Sequence, residues 1–453
     1  MADKARNGGP LSIMLLTDVF PPGSGGSGWS TYYLGSALQE RGHKVRVVRP
    51  IYGQNVASVG ARRSKYGDLE VVELLIPTVG RWQRKLGIAK ALEERRAERA
   101  MEVLAARSGF DVLHGQHAVS AGAACAAAFR ARKRENCPVS VATVRDYWPL
   151  CPNSTRLFNN REGHYFECRN CHKPANFLAC AGRHVRGTSV GGMSRVSNSL
   201  RTVGLWARWA RTRQRAYSLA RCDAVIAVSD YVRGELARSG RVPARKLVAI
   251  PNLVEMPSVE AALRGAWPLH DISTEEPFLL FAGKLDPNKG ADQLPAALEK
   301  SGVRLPLVLA GDGPLRQAIE SEAGQRGLRL HFADWLDNDD VLLLMHHAQA
   351  LLFPSAWQEP LSRVLLEGCA VGAAIVAQNT GGTEDVITHG ESGWLAADSG
   401  QFVEGIRQVA TDTTLNCTLR AGARRRAQER FAAPVVSAQV EALYRKLLSE
   451  ARP

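Results

Sequence analysis

The most constraining feature of this chain is an alternation of short aliphatic and β-branched runs with longer stretches of helical periodicity. Such alternation is typical of parallel α/β domains. A first series of predicted strands covers Leu11–Thr17, Lys44–Val48, Val71–Ile76, Val112–His114, Val139–Val144, Ala224–Val228 and Leu247–Ile250. A second series covers Phe278–Ala282, Leu307–Ala310, Leu330–Phe332, Ala350–Phe353 and Ala374–Ala377. The pattern predicts two Rossmann-like, doubly wound domains with parallel sheets, facing a central cleft.

The two strand series also define the predicted domain boundaries. Residues 1–250 form the predicted first domain, with a cysteine-rich insertion at about 151–180. Residues 278–434 form the second domain. The segment 251–277 carries proline and acidic residues without a strong period and is predicted to be a linker. A helix within 435–453 is predicted to cross back onto the first domain.

Composition excludes several classes of protein. Hydrophobic residues make up 45% of the chain and charged residues 23%, which is ordinary for a globular protein and argues against a disordered or collagenous chain. No run approaches the ~20 apolar residues of a membrane span, and the start lacks an apolar signal core, so a cytoplasmic protein is expected. The net charge of +14 favours anionic partners, such as nucleotide phosphates, an acidic membrane surface or nucleic acid.

A glycine-rich loop follows the first predicted strand. Its segment Gly23–Gly28 matches the dinucleotide motif G-x-G-x-x-G. However, Asp18–Pro22 separates it from the strand, and the second strand is followed by Arg49 rather than the acidic residue that NAD requires. These details favour a flexible loop where a ligand can approach Gly25 and Gly26 over a dehydrogenase site. A plain turn stays open as an alternative.

The second domain carries a stronger pattern for a phosphate ligand. Lys284 and Lys289 stand on the loop after one predicted strand, and Glu359 and Glu367 flank the start of a helix after another. A helix N-terminus offers N–H groups and a positive dipole end to a phosphate, and two ammonium groups neutralise further charge. Carboxylates accept hydrogen bonds from sugar hydroxyls. The pattern therefore indicates a nucleoside-diphosphate sugar site.

Taken in order, these segments resemble the motifs of glycosyltransferase family 4, whose members are retaining enzymes of the GT-B architecture. Glu359 and Glu367 resemble the E-x7-E pair of that family. The resemblance extends over most of the chain, through the segments Pro21–Gly23, Gly42–Val45, Asp223–Ser229, Ile250–Asn252, Gly283–Gly290, Thr380–Asp385 and Gly390–Gly393.

The resemblance implies transfer of a sugar from a nucleoside-diphosphate donor to an acceptor hydroxyl with retention, in cell-surface polysaccharide or glycolipid synthesis, without a catalytic metal. Lys284 and Lys289 would hold the diphosphate, Glu359 would contact the donor sugar, and Glu367 would contact the ribose. The donor would also contact Gly283 and the backbone amides of Leu361, Ser362 and Arg363. The acceptor would be a glycan or a lipid-linked molecule, and the enzyme would be peripheral on the inner face of the cell membrane.

Two positions depart from the family pattern. Arg145 stands where relatives often carry a histidine, and an arginine cannot act as a base at neutral pH, although it can bind a phosphate or an acidic sugar. His117 is a further catalytic candidate, with a structural, hydrogen-bonded histidine as the alternative. Asp334 replaces a usual glycine. Because of Arg145, a second function stays open: the chain could be a non-catalytic relative that binds sugar nucleotides without transferring the sugar.

Four cysteines in the insertion have the spacing C-x16-C-x2-C-x8-C, at Cys151, Cys168, Cys171 and Cys180. A C-x2-C pair with two further cysteines can form a tetrahedral structural zinc site, which would stabilise a segment with little apolar surface. An iron–sulfur cluster, free thiols or redox-paired thiols are the alternatives.

A segment rich in arginine follows the insertion. Residues 183–221 contain nine arginines and no acidic residue. On a helix from Leu200, one face carries Arg201, Arg208, Arg211 and Arg215, and the opposite face carries Val203, Trp206, Ala210 and Tyr217. The helix is interpreted either as an amphipathic helix packed through its apolar face, or as a basic surface for an anionic membrane. A zinc-dependent nucleic-acid-binding protein is a more distant alternative.

Overall fold

The computed structural model describes residues 8–53, 56–79, 89–132, 137–151, 154, 157–159, 165–167, 177–178 and 195–451. Side chains are described for the same residues except 157–159, 165–167 and 195–205. The chain forms two compact units, one of Met1–Pro251 with Ser437–Pro453 and the other of Asn252–Val436.

The first unit is built on an eight-stranded sheet in the order β10-β9-β6-β5-β1-β2-β4-β3, parallel except that β3 pairs antiparallel to β4. The strands are β1 (Ser12–Leu16), β2 (Lys44–Gly53), β3 (Gly60–Tyr66), β4 (Leu69–Pro77), β5 (Val112–Gly115), β6 (Val139–Val144), β9 (Ala224–Ala227) and β10 (Leu247–Ala249). A separate antiparallel pair is formed by β7 (Leu157–Asn159) and β8 (Tyr165–Glu167).

The helices of the first unit are α1 (Gly26–Glu40), α2 (Ala89–Ala106), α3 (Ala118–Ala131), α4 (Arg195–Arg221) and α5 (Asp230–Arg238). Small side chains on α3 allow close packing, and α2 and α3 together bury one face of the sheet through residues such as Ala97, Met101, Ala123 and Ala127. Such burial of alanine and methionine contributes to the free energy of folding through the hydrophobic effect.

The second unit has a fully parallel six-stranded sheet in the order β13-β12-β11-β14-β15-β16. The strands are β11 (Leu279–Ala282), β12 (Leu307–Ala310), β13 (Leu330–Asp334), β14 (Ala350–Phe353), β15 (Ile375–Gln378) and β16 (Trp394–Ala396). The helices are α6 (Met256–Ala262), α7 (Leu294–Ser301), α8 (Arg316–Gln325), α9 (Asn338–His347), α10 (Arg363–Val371), α11 (Thr383–Val386), α12 (Ser399–Thr411) and α13 (Thr413–Arg426). This strand order is that of a Rossmann fold.

The last helix, α14 (Ala433–Glu450), begins in the second unit, and its residues from Ser437 belong to the first. Within the first unit its Tyr444 hydroxyl lies 2.6 Å from Nδ1 of His114. Glu441 lies 3.2 Å from Nε2 of His43 and also bonds Arg41. The terminal helix is therefore held by buried polar contacts as well as by apolar packing.

The structure confirms the two doubly wound parallel sheets that the sequence predicts. Each predicted strand has an observed counterpart, with ends shifted by a few residues. The edge strands β3 and β16 were not predicted, since β3 is polar and β16 is short. The segment predicted as a linker contains α6, which packs against α9 and α10 of the second unit.

Strand order reverses at one point in each sheet. In the first sheet β1 lies between β2 and β5, and in the second β11 lies between β12 and β14. Crossover helices leave opposite faces of the sheet on the two sides of such a point, which opens a crevice outside the carboxyl ends of the strands. The loops after β1 and β5, and after β11 and β14, are therefore where ligands are expected.

Candidate active site

In the second unit, the switch point brings Lys289 to Glu359. Lys289 follows β11 and Glu359 follows β14, and the ammonium of Lys289 bonds the carboxylate of Glu359. Glu359 is only 4% exposed, and the Ser355 hydroxyl lies 3.5 Å from its Oε1. The Lys289 ammonium also lies 5.4 Å from the centre of the Trp357 ring. This pairing compensates the charge of a buried carboxylate.

Two glycines make this close approach of the loops feasible. A Cβ on Gly290, whose φ is +71°, would lie 2.0 Å from the carbonyl oxygen of Pro354. A Cβ on Gly381, with φ of +58°, would lie 2.2 Å from the carbonyl oxygen of Glu359. Only glycine fits such positions without displacing backbone. Gly290 and Gly381 thus allow the loops that carry Lys289 and Glu359 to pack closely against their neighbours.

Lys284 is placed differently from Lys289. Its side chain is 62% exposed, and its ammonium lies 2.7 Å from a carboxylate oxygen of Asp286. Gly283, the residue before it, has a φ of +145° and donates its N–H to Ala310 at the end of β12. The structure thus places both predicted lysines on the loop after β11, and it pairs Lys289 with Glu359.

Glu367 is buried inside α10. It is 5% exposed, and Arg363 donates from Nε to its Oε1 at 2.8 Å. Burial raises the pKa of the Glu367 carboxyl, while the Arg363 charge and hydrogen bonds from Arg363 and Asn338 oppose that rise. The pair therefore places a positive charge at the start of the helix and a carboxylate one turn later.

The N-terminus of α10 lies at this same edge. The helix begins at Arg363 with Ser362 as its N-cap, whose side chain makes no capping hydrogen bond. Leu361 and Pro360 precede the cap, so Pro360 lies in the loop before the helix. The first turn of an α-helix directs N–H groups out of the helix, toward any anion held there.

In the first unit, the switch point brings Thr17 and Asp18 to the start of α3. The Thr17 hydroxyl lies 3.0 Å from Nδ1 of His117, and Nε2 of His117 is buried without a hydrogen-bond partner among the described residues. Burial, reinforced by the charge of Arg145, lowers the pKa of His117 to about 3. His117 is therefore a neutral imidazole at physiological pH.

Arg145 and Asp146 follow β6 at the same edge of the first sheet. Arg145 donates from Nη1 to the Gln116 carbonyl at 2.7 Å and from Nη2 to the Gln116 side-chain oxygen at 2.6 Å. Burial lowers the pKa of Arg145 to about 10. Burial also raises the pKa of Asp146 to about 6, although its Oδ1 accepts a hydrogen bond of 2.7 Å from the Trp148 backbone.

Several neighbours of His117 were not identified from the sequence. The Asp18 carboxylate accepts hydrogen bonds from the backbone of Val119 at 2.9 Å and of Ser120 at 2.8 Å, at the N-terminus of α3. Burial raises the pKa of Asp18 against these bonds. Its position directly after β1, at the switch point, is the signal that could have identified it.

Gly25 and Gly26 lie where the glycine loop meets α1. The helix begins at Gly26, with Gly25 as an N-cap that has no side chain to cap it. A Cβ on Gly28 would lie 2.1 Å from the Ser24 hydroxyl, so this glycine serves packing inside the helix.

Asp334, the second departure from the family pattern, has a φ of +55° at the end of β13. Asparagine and aspartate are among the few residues that adopt this conformation readily, and glycine adopts it without strain. Arg316 bonds the Asp334 carboxylate and lies 4.5 Å from the centre of the Phe332 ring. The backbone conformation explains why either residue type can stand there.

Of the four cysteines predicted to bind zinc, Cys151 lies among the described residues, where it is buried. Cys168, Cys171 and Cys180 lie outside the described residues. Among the described residues, no group of three or more histidine, cysteine or acidic side chains could hold a metal ion. The zinc assignment stays a prediction.

In the arginine-rich helix α4, two arginines of the predicted basic face are partly buried, which corrects the prediction that the helix packs only through its apolar face. Arg211 lies 3.0 Å and Arg215 2.9 Å from the Glu94 carboxylate of α2, and Arg211 also donates to the Ala91 carbonyl at 2.7 Å. On the predicted apolar face, Tyr217 is 64% exposed and Trp206 is 39% exposed beside Phe177, while the side chain of Val203 lies outside the described residues. Glu94 compensates the charge of these two partly buried guanidinium groups. Arg201 lies outside the described side chains, and Arg208 is exposed.

None of the described helices has the length and apolar character needed to cross a bilayer.

Comparison with known proteins gives two family matches. Residues 24–256 match the family "Glycosyltransferase Family 4", and residues 269–430 match "Glycosyl transferases group 1". Over 255 residues, 53% of the chain, it is 22% identical to the alpha-D-kanosaminyltransferase of Streptomyces kanamyceticus, covering 64% of that protein. Over 177 residues, 38% of the chain, it is 32% identical to the O-antigen chain mannosyltransferase C of Escherichia coli, covering 47% of that protein.

The matched region thus spans less than two thirds of each of these two curated relatives. Among solved structures, the chain is similar to the Anabaena protein Alr3699/HepE in complex with UDP, at a TM-score of 0.60 and 16% identity. That similarity covers 96% of this chain and 99% of the other. At this level of identity it demonstrates a shared fold.

Proposed function

The chain belongs to glycosyltransferase family 4, and on that premise we propose that it transfers a sugar from a nucleoside-diphosphate sugar to an acceptor hydroxyl, with retention of configuration. The observation that carries the proposal is the bonded pair of Lys289 and Glu359 beside the N-terminus of α10. This arrangement places a cation, a carboxylate and helix N–H groups at one switch point. A sugar diphosphate needs all three kinds of group.

The donor diphosphate is the proposed ligand of the positive groups. An ammonium group has three donor hydrogens, so Lys289 can bond Glu359 and still donate to a phosphate oxygen. Lys284 is exposed beside Asp286, so rotation about its side-chain bonds can bring its ammonium group to the diphosphate of a bound donor. Amides of Leu361, Ser362 and Arg363 would complete the phosphate site, with Gly283 close to the donor.

In this proposal the positive groups take the role that a divalent cation has in other glycosyltransferases. Negative charge develops on the leaving diphosphate as the glycosidic bond breaks, and preorganised cations and N–H dipoles stabilise it. Glu359 is proposed to bond hydroxyls of the donor sugar, and Glu367 to bond the ribose. Catalysis is therefore proposed to be independent of added metal.

The first unit is proposed to bind the acceptor. His117, neutral and with Nε2 unbonded among the described residues, is suited to accept or donate one hydrogen bond to an acceptor hydroxyl. The Arg145 guanidinium donates hydrogen bonds to the backbone and side-chain oxygens of Gln116. A guanidinium stays protonated, so Arg145 is proposed to bind an anionic group and not to transfer a proton. Gly25 and Gly26 provide backbone that a ligand can approach closely.

The acceptor is proposed to be a glycan or a lipid-linked molecule used in cell-surface polysaccharide or glycolipid synthesis. The similarity to an O-antigen chain mannosyltransferase supports this class. The proposed location is the cytoplasm, with peripheral association at the inner face of the membrane. The net charge of +14 is compatible with an anionic surface.

The test is a thermal-shift screen against nucleotide-sugars, followed by assays of turnover. UDP-glucose and free UDP belong in the panel because a structural neighbour binds UDP. A ligand at 100 times its Kd stabilises the folded state by about 2.7 kcal/mol, so binding is readily detected. Binding of a donor with hydrolysis or transfer supports the proposal. Binding without any turnover would favour the non-catalytic relative, and no binding of any nucleotide-sugar would contradict both.

A further inference from the structure

A cavity lies in the first unit, and its lining contains none of the residues assigned to the proposed transfer site. It has a volume of about 950 Å³ and lies between α2 and the strands β1 to β4. Ligand sites commonly have volumes of about 300–1,000 Å³. This cavity has no role in the proposed transfer reaction.

One face of α2 forms a wall of this cavity. The lining positions Leu92, Arg96, Ala100, Val103 and Arg107 recur at helical spacing. The opposite face, which includes Ala97, Met101 and Ala105, is buried in the core of the unit. From Leu92 to Leu104 the lined face extends about 18 Å at 1.5 Å per residue, which is comparable with an extended alkyl chain.

The floor of the cavity is aliphatic. Met14, Val72 and Leu74 come from the sheet, and Leu92 and Val103 come from α2. No aromatic side chain is among its described lining residues, so the cavity offers no flat surface for a base or a sugar ring. An aliphatic chain is the chemistry that this floor fits.

The rim is strongly cationic. Seven arginines line the cavity, and none of its described lining residues is acidic. Four of them are engaged elsewhere: Arg46 with Glu70, Arg62 with Glu73, Arg99 with Glu102, and Arg96 with the Pro77 carbonyl. The side chains of Arg63, Arg95 and Arg107 make no ion pair or hydrogen bond within the described residues and are exposed.

We propose that this cavity binds one molecule of a single-chain alkyl phosphate, with the chain along the aliphatic floor. Arg95 and Arg107 stand about 18 Å apart along α2, so the phosphate is bound at one end of the lined face, by the guanidinium of Arg95 or of Arg107. Guanidinium groups bind phosphate through paired, charge-assisted hydrogen bonds. Charge complementarity favours an anionic headgroup, and the apolar floor favours a ligand that carries a chain. The proposal does not depend on the transfer reaction, because the donor residues lie in the other unit.

The test is calorimetric titration of the full chain with decyl phosphate below its micelle concentration. Two probes separate the contributions: inorganic phosphate has the charge of the headgroup without the chain, and decyl maltoside has the chain without the charge. Decyl phosphate is expected to bind at least roughly tenfold more tightly than either probe. Inorganic phosphate lacks the burial of the alkyl chain, and decyl maltoside lacks the charge-assisted hydrogen bonds to the arginines. Uridine diphosphate is not expected to displace it.

The variant pair Arg95→Gln with Arg107→Gln is expected to weaken decyl phosphate binding by roughly tenfold or more, the scale of a lost charge-assisted hydrogen bond. The matched control is Arg264→Gln with Arg304→Gln, which removes two charges from exposed arginines of the second unit. A second variant, Val103→Glu, places a carboxylate in the groove and is expected to abolish binding. All three are checked for an unchanged thermal midpoint, and the exposed arginine variants are expected to retain it.

Equal affinity of the wild type and of the Arg95→Gln, Arg107→Gln variant would overturn the proposal. So would equal binding of inorganic phosphate and decyl phosphate, or displacement by uridine diphosphate. Binding to anionic vesicles without binding of monomeric decyl phosphate would also overturn it, because it would assign the arginines to a membrane surface and not to a single-molecule site.

Discussion

The ammonium of Lys289 bonds the carboxylate of Glu359 although the two residues are 70 positions apart in the chain. The contact forms because β11 and β14 are neighbours in the sheet and their loops leave the same edge. The contact places a cation against the buried side chain of Glu359 and fixes the position of Lys289. The first two predictions follow from this pair.

Glu359→Gln is expected to lower kcat by roughly 10²-fold or more, since the glutamate is proposed to touch the reacting sugar and preorganised charge at such a position has effects of this size. The matched variant is Glu367→Gln, which is expected to act mainly on the KM for the donor because Glu367 lies inside α10 with Arg363. Steady-state kinetics on a nucleotide-sugar found by the screen checks both. Wild-type turnover by Glu359→Gln would disprove its role.

Lys289→Ala is expected to cost about 1.5–3 kcal/mol of transition-state stabilisation, the scale of a hydrogen bond to a charged group. Lys284→Ala is expected to have an effect in the same range, and exposed Lys300→Ala serves as the control. The kcat/KM of each variant is measured with and without EDTA. Loss of wild-type activity in EDTA that only magnesium restores would contradict the proposal that lysines replace the metal.

The sequence was sufficient to predict both sheets and the lysine and glutamate positions, because strand patterns and motif spacing are local properties. It was not sufficient to predict partners across loops. Arg145, which follows β6, donates hydrogen bonds to Gln116, which follows β5, and no local sequence pattern predicts that contact. Asp18 was missed for the same reason, since its role as an acceptor depends on α3 lying next to β1.

The partial burial of Arg211 and Arg215 on α4 was not predicted, for a related reason. A helical projection sorts residues by polarity within one helix and contains no information about a neighbour. Arg211 and Arg215 pack inward because Glu94, more than a hundred residues earlier, provides a carboxylate there. Charge compensation by another helix decided which face is buried.

Asp146 is expected to make the folded protein less stable as the pH rises. Its pKa is about 6 in the folded protein and ordinarily 3.8, so the folded state binds the proton more tightly. The associated stability is present below pH 3.8 and is lost as the pH rises through about 6. Asp146→Asn keeps an oxygen for the Trp148 N–H and cannot ionise.

The Asp146→Asn variant is therefore expected to be more stable than the wild type at pH 7.5, by at most about 3 kcal/mol, with the difference shrinking toward pH 4. Urea unfolding of both proteins at several pH values measures this. Asp271→Asn, at an exposed aspartate, is the control. A difference that stays constant with pH would show that Asp146 does not hold a proton in the folded protein.

The cysteine prediction concerns metal content. Protein purified under reducing conditions is expected to contain about one zinc per chain, bound by Cys151, Cys168, Cys171 and Cys180. Changing Cys168 and Cys171 to Ser should release the metal, while Cys417→Ser, at an exposed thiol, should not. Elemental analysis and thiol titration check this. A metal-free wild type with all four thiols freely titratable would refute the assignment.

The last prediction concerns the attachment of α4 to α2. Glu94 is bonded to both Arg211 and Arg215, and all three side chains are less than a quarter exposed. Glu94→Gln removes the compensating charge and leaves two half-buried guanidinium groups close together, which costs stability. The first unit is expected to lose roughly 1–3 kcal/mol of unfolding free energy in urea. Glu275→Gln, at an exposed glutamate outside any described ion pair, should change stability little.

Two arginine variants distinguish this packing role from a membrane role for the arginines. If Arg211 and Arg215 are structural, changing both to Gln should destabilise the protein without reducing its binding to vesicles of anionic lipid. Changing exposed Arg208 and Arg213 to Gln should instead lower vesicle binding, since each cation near an anionic surface contributes about 1 kcal/mol, and leave stability unchanged. Added salt should weaken vesicle binding through screening but affect the partly buried Glu94 contacts less. Unchanged stability of Glu94→Gln would contradict the packing role that the ion pairs assign to this face.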